Sequence, residues 1–174
     1  IYRCVLSTGC DTSGDFTTAL TAPQAIWSFV IDTANGVLYA GSGAGGIIYR
    51  CSMPAGSTTA CSSAANFTTA TDTPQSYIYS LTIDTTNGVL YAGTNPGGLI
   101  YRCVLSTACD SVGDFTTATN TPATTIFSLT VDPVNQVLYA GGDGTGIIYR
   151  CLLSTGCDSA TDFVTAYDSP ETII

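Results

Sequence analysis

One stretch recurs through the chain and limits what it can fold into. Asn87-Gly88-Val89-Leu90-Tyr91-Ala92-Gly93, continued by Gly97-Gly98-Leu99-Ile100-Tyr101-Arg102-Cys103, returns as residues 35–51 and, slightly altered, as residues 135–151. Its tail alone opens the chain as Ile1-Tyr2-Arg3-Cys4. Repetition at this period means an array of like units, none of which can bury its apolar face without a neighbour. Aligned on Arg3, Arg50, Arg102 and Arg150, the units are spaced 47, 52 and 48 residues apart. The surplus lies between Cys51 and Cys61, and the one-residue deficit just after Pro23. The unit is therefore 48 residues long, with its length changes in loops.

Each unit reads as four short strands. In the best-preserved one, Tyr77, Tyr79, Leu81 and Ile83 alternate with mostly polar residues to give the first strand. Asp84-Thr85-Thr86-Asn87-Gly88 is a tight turn in which Asn and Gly supply positive φ. The second strand runs from Val89 to Ala92, a Gly-rich connection follows, and the third runs from Leu99 to Val104. A cysteine loop leads to a fourth strand around Asp114–Ala118, and a Pro-containing link (Thr121-Pro122; Pro23, Pro74 and Pro170 elsewhere) starts the next unit. β-branched, aromatic and Gly residues dominate and no 3.6-residue period is sustained, which nearly excludes helix. The fold class that follows is all-β: a β-propeller-like array of four-stranded antiparallel blades, in a closed ring or an open superhelix. It forms a single repeat domain, residues 1–174, with units at 1–24 (a half unit), 25–75, 76–123 and 124–172, and 173–174 beginning the next.

A resemblance attaches to the same residues. Ser80-Leu81-Thr82-Ile83-Asp84, Asn87 to Thr94 and Gly97 to Arg102 resemble blades of extracellular bacterial β-propellers of the Asp-box and related repeat families. In the Asp-box family the turn before the fourth strand carries Ser/Thr-x-Asp-x-Gly-x-x-aromatic. Here Ser106 to Phe115 is a loosened relative with Cys109 inserted into the turn. The resemblance implies the blade fold; it does not imply the sialidase or other glycosidase activities of some members.

Charge narrows the partners. The four basic residues are all arginines, one per unit, against thirteen acidic residues, no His and a net charge of −9. Nucleic-acid binding needs several cations on one face, so nucleic acid is a poor partner, and an anionic membrane surface is disfavoured likewise. No apolar run approaches the roughly 18 residues of a membrane span, so no membrane insertion is expected. With neither an initiating Met nor a signal peptide, the chain reads as a mature product or an excised piece. The lone arginine of each unit is expected to pair with a neighbouring unit's carboxylate or to stack on a Tyr.

The eight cysteines carry the clearest chemistry. Repetition pairs Cys4 with Cys10, Cys51 with Cys61, Cys103 with Cys109 and Cys151 with Cys157, each closing the loop between third and fourth strands. A closed loop of about seven residues contributes about 2 kcal/mol by chain entropy, which matters for blades with small cores. Disulfides on this scale place the chain in an oxidising compartment, extracellular or at the cell surface. The Gly clusters have no following helix and no Lys, so they read as hairpins rather than phosphate cradles. Asp11/Asp15, Asp110/Asp114 and Asp158/Asp162 repeat as Asp-x-x-x-Asp and are weak Ca²⁺ candidates, against a reading as turn-closing and solvated side chains. Asp32, Asp84 and Asp132 are expected to cap turns. Asn66-Phe67-Thr68 is the N-glycosylation candidate, and Thr-rich segments such as Thr68–Thr73 are O-glycan candidates. No His or Lys is present, Glu171 is the only Glu, and every Asp pair is repeat-periodic, so no enzyme and no cofactor is expected.

The alignment leaves the first unit without counterparts of Phe127 through about Ile147. A half unit exposes strand edges that can template pairing with another chain. Either a longer covalent array or complementation between subunits would complete it. The leading expectation is thus a structural, surface-displayed or secreted repeat protein that forms a filament or stalk with copies of itself. The alternative is a secreted propeller lectin or adhesin that binds glycans through its repeat loops.

Overall fold

The computed structural model of the protein describes residues 1–57, 59–143 and 146–168. The readings that concern Pro170, Glu171 and a unit beginning at 173–174 lie outside them. The described residues form fourteen strands in four antiparallel sheets. A two-stranded half sheet pairs β1 (Tyr2–Arg3) with β2 (Thr17–Thr18). Three four-stranded sheets follow in strict sequence order. The first blade holds β3 (Ile26–Asp32), β4 (Val37–Ser42), β5 (Ile47–Ser52) and β6 (Phe67–Asp72). The second holds β7 (Tyr77–Asp84), β8 (Val89–Asn95), β9 (Leu99–Val104) and β10 (Phe115–Asn120). The third holds β11 (Ile126–Asp132), β12 (Val137–Gly142), β13 (Ile147–Leu152) and β14 (Phe163–Asp168).

The first strands β3, β7 and β11 lie side by side, and β7 and β11 also touch β4 and β8 of the blade before them. No strand among the described residues closes this row into a ring. The second strand of the central blade runs to Asn95, three residues beyond the expected Ala92. Gly93 and Thr94 stay in the ladder, and at Gly93 the next blade comes close. A Cβ there would lie 2.6 Å from Ile126 Cγ2, and one at Gly41 would lie 2.6 Å from Ile78 Cγ2. The Gly clusters thus serve blade-to-blade approach.

Two further local features hold the row together. The Gly-rich connection of one blade is tied to the Pro link into the next: Thr73 and Thr121 hydroxyls donate to the Gly46 and Gly98 carbonyls at 3.1 and 3.0 Å. Gly46 and Gly98 sit at φ +62° and +56°, a conformation a side chain would strain. The turn between first and second strands is closed by its aspartate. Asp84 Oδ1 accepts from the Thr86 and Asn87 amides and Oδ2 from Asn87 Nδ2, and Asp32 and Asp132 repeat the pattern. A short 3₁₀ turn precedes every fourth strand, a feature that helix propensity alone does not reveal.

The core lies between blades. One cluster joins Val37, Tyr39, Ile48 and Ala70 of the first blade to Leu81, Ile83, Leu90, Tyr101 and Phe115 of the second. The other joins Val89, Tyr91, Ile100 and Ala118 to Ile126, Leu138, Tyr149 and Leu153. The second sheet therefore has a backward face, which packs on the first blade, and a forward face, which packs on the third; the same two faces can be named on every sheet.

Candidate interaction surfaces

All four cysteine pairs are disulfides in the expected pairing: Cys4–Cys10, Cys51–Cys61, Cys103–Cys109 and Cys151–Cys157. Beyond stapling a loop, the bridge fixes a carbonyl for the preceding blade. The Tyr39 hydroxyl donates to the Ala108 carbonyl at 3.3 Å, and the Tyr91 hydroxyl to the Gly156 carbonyl at 3.4 Å. In both cases the acceptor is the residue just before the second cysteine of the next blade's staple. The sequence offered no direct signal for this contact, which joins residues more than sixty positions apart.

The same tyrosines explain the arginines. Tyr39 stands opposite Arg50, Tyr91 opposite Arg102 and Tyr139 opposite Arg150 across neighbouring strands. Burial pushes the Tyr91 phenol up to about 12, against the Arg102 guanidinium that hydrogen-bonds it and favours the ionised form. Tyr39 shifts upward for the same reason, with Arg50 opposing. The buried Nε atoms of Arg50 and Arg102 make no hydrogen bond. These two cations are thus cross-strand companions of a Tyr on their own blade, beside the next blade's Asp110 and Asp158.

The Asp-x-x-x-Asp pairs close the 3₁₀ turns. Asp114 Oδ2 accepts from the Asp110 and Ser111 amides at 3.1 and 3.0 Å and from the Ser111 hydroxyl at 3.0 Å. Asp15 repeats this with Asp11 and Thr12, and Asp162 accepts from the Asp158 and Ser159 amides. The Ser111 hydroxyl and these amides hold the Asp114 carboxyl below its ordinary range, and Thr12 and Asp11 do so for Asp15. Among the described residues no three His, Cys, Asp or Glu side chains come together to hold a metal ion. Asn66 takes the aspartate's place in the first blade, its Oδ1 accepting from Ser62, Ser63 and the Ser63 hydroxyl, in an exposed position.

An aromatic row crosses the first strands. Trp27, Tyr79 and Phe127 hold equivalent places in β3, β7 and β11, each at a bulge in the pairing with the second strand. Trp27 lies 5.3 Å from Tyr77 at an interplanar angle of 6° and 4.6 Å from Tyr79, which meets Phe127 edge-on at 4.9 Å. A Cβ at Gly43 would lie within 2.8 Å of three atoms of the Trp27 indole. The indole is thus held between Gly43 and Tyr77 and presents an edge to solvent, so the row zips first strands together more than it offers a stacking platform. Beside it, Asp143 accepts from Thr124 and Thr125. Burial raises its carboxyl, but these hydrogen bonds outweigh that, and the net shift is downward.

The least satisfied surfaces are the two ends of the row. On the half sheet's backward face Tyr2 is 73% and Phe16 46% exposed, whereas their repeat equivalents Tyr101 and Phe115 are 8% and 9% exposed. On the third blade's forward face, Tyr139 and Ile148 are half-buried and line an open groove of about 350 Å³ with Thr130 and Ala166. Their equivalents Tyr39, Tyr91, Ile48 and Ile100 are at most 1% exposed. A third surface, a groove of about 650 Å³, separates the half sheet from the first blade, with Ile1 and Ala19 on one side and Phe29, Ile31 and Leu38 on the other. No helix among the described residues is long and apolar enough to cross a membrane.

No protein-family model matches the chain, and no curated protein is similar to it in sequence. Solved structures share its fold. Over 92% of this chain and 55% of the other, it superposes on a chain of a nidogen/laminin complex with a TM-score of 0.67 at 13% identity. An auxiliary nutrient binding protein of Bacteroides thetaiotaomicron matches 86% of this chain and 32% of its own, with a TM-score of 0.62 at 11% identity. An extracellular domain from the same bacterium, assigned to a one-component system, matches 88% of this chain and 18% of its own, with a TM-score of 0.60 at 17% identity. The chain spans about half the length of the first of these and less of the others. The likeness establishes the propeller-like blade fold, and the four disulfides point to an oxidising, extracytoplasmic setting.

Proposed function

We propose that this protein is an extracellular, non-catalytic repeat domain whose work is assembly: its blades continue into further blades and build a filament or stalk at the cell surface. The observation that supports the reading is the forward-on-backward contact between blades, which the same repeat positions make twice within the row. Tyr139 and Ile148 at one end, and Tyr2 and Phe16 at the other, are the two halves of an interface that the chain makes twice internally. Stacking forward face on backward face is a heterologous contact, and repeated addition gives a linear or helical polymer unless the rotation closes. The loop from Ser106 to Phe115 supports an Asp-box-related class for the blades.

Electron microscopy of the native material tests this reading: elongated particles with a repeat matching the blade row are expected, and compact single particles at every concentration would overturn it. A second reading, a propeller-type binding module that takes glycans or a protein partner through its loops, is favoured by what two structural neighbours are described as doing. One is a nutrient binding protein and the other belongs to a protein–protein complex. Retention on a glycan array at loop residues such as Asp143 would support that reading, and an array without hits would count against its lectin form.

A further inference from the structure

We propose that Asn66 carries an N-linked glycan, and that the turn cap of the first blade is what presents its acceptor nitrogen. The inference is independent of whether the blades assemble or bind a ligand. It needs only the extracytoplasmic setting that the disulfides indicate.

The argument begins with one repeat position in four settings. The last residue of the 3₁₀ turn before each fourth strand caps that turn, and it is Asp15, Asp114 or Asp162 in three units and Asn66 in the first blade. In each aspartate the turn's amides and hydroxyls donate to a single oxygen, Oδ2. The second oxygen takes no part in the turn. At Asn66 the Ser62 and Ser63 amides and the Ser63 hydroxyl donate to Oδ1 at 3.1, 3.0 and 3.1 Å. Two of these donors are backbone N–H groups, which an amide can meet only with its oxygen, so the side chain is fixed in one orientation. Its Nδ2 therefore takes the place of the aspartates' second oxygen, and no cap bond occupies it.

The surroundings suit a glycosyl transferase. Asn66-Phe67-Thr68 is the chain's only Asn-x-Ser/Thr triplet, and its middle residue is not Pro. Asn66 and Thr68 are both exposed. Phe67 is extended, at φ −99° and ψ 134°, and β6 is the outermost strand of its sheet, so the acceptor lies on an extended segment with an open edge. The same unit has the enlarged staple, with a sequence separation of 10 between Cys51 and Cys61 against 6 in each of the others. Transfer would form a bond between Nδ2 and the anomeric carbon of a glycosyl diphosphate lipid. It would break that carbon's bond to the phosphate oxygen and release the lipid diphosphate and one amide proton.

Mass spectrometry of the peptide spanning Asn66, from native protein, tests the proposal: an oligosaccharide localised to the Asn66 side chain is expected. The repeat itself supplies variants that fit the fold. Asn66→Asp restores the cap of the other units, and Thr68→Val brings in the residue type of Val164, its equivalent in the third blade. Each removes the triplet, so each protein made in the native host should lose the glycan and stay folded by circular dichroism. Asp114→Asn creates the same triplet in the same cap, ahead of Phe115 and Thr116, and should gain a second glycan. A bare Asn66 peptide, sugar on Thr68 or Thr69 alone, or a glycan that survives both removals would overturn the site. A glycan on Asn66 with none gained by Asp114→Asn would overturn the cap as the presenting device. Thiol titration of the same native protein separates the premise from the proposal: no free thiol together with a bare Asn66 overturns the glycan and leaves the oxidising setting standing.

Discussion

The two internal blade interfaces and the two ends of the row are made of the same residues in different company. Tyr91 and Ile100 are sealed against the third blade, whereas Tyr139 and Ile148, at the same places one repeat later, border an open groove. Tyr101 and Phe115 are buried where Tyr2 and Phe16 are exposed. Residue type therefore does not decide burial in this molecule; position in the row does. Stability of a repeat array is a sum of unit and nearest-neighbour terms, so each blade interface counts in its own right. What the comparison teaches is that one repeat position is sealed where a neighbouring blade meets it and open where none of the described strands does.

The sharpest way to break the comparison is to truncate the same tyrosine in both settings. Tyr91→Ala removes a fully buried ring and its bond to Gly156, and should cost about 3–5 kcal/mol in chemical denaturation. Tyr139→Ala in dilute solution should cost about 1 kcal/mol, since its ring is already partly wet. Equal losses would erase the distinction. Next in size, removing the central staple by Cys103→Ala with Cys109→Ala should cost about 2 kcal/mol from chain entropy and also loosen the carbonyl that Tyr39 uses. A double-mutant cycle with Tyr39→Phe should show the two changes to be coupled. Thr121→Val, which deletes the hydroxyl bond from the interblade link to Gly98, should cost about 1 kcal/mol by thermal melting.

A further effect appears in alkali. An unfolded tyrosine ionises near pH 10, and the folded Tyr91 phenol is pushed up to about 12 by burial. The folded state holds its proton longer, so this contribution to stability is complete below about pH 10 and falls as pH rises from about 10 toward about 12. Denaturation midpoints measured across that window should fall less steeply in Tyr91→Phe than in the parent. Parallel slopes would show that the phenol is not sealed at the internal interface.

Much of this architecture was legible in the sequence. The 48-residue period, the alternation of Tyr77, Tyr79, Leu81 and Ile83, and the recurring cysteine pairs state the strands and the staples almost directly. What lies between units was not legible, because it depends on which repeat faces which. The aromatic row shows this well. Trp27, Tyr79 and Phe127 share one position in the repeat, yet only the bulges and the side-by-side first strands bring their rings together. The arginines show it too: spacing identified one per unit, but the cross-strand register, not charge counting, assigned Arg50 to Tyr39 and Arg102 to Tyr91. The aspartate pairs suggested an oxygen-rich ion site, and the structure turns Asp15, Asp114 and Asp162 into turn caps because backbone amides lie within three or four residues of each.

Hydrogen exchange read strand by strand, at low and high protein concentration, tests most directly whether a neighbouring blade is what seals these positions. At low concentration β13, under the open face, should exchange faster than its internal equivalent β9. As concentration rises, β13 and the half sheet should gain protection while β9 stays constant. If β9 and β13 are equally protected at low concentration and neither changes with concentration, the forward face needs no cover and the account of this protein as a continuing row of blades is contradicted.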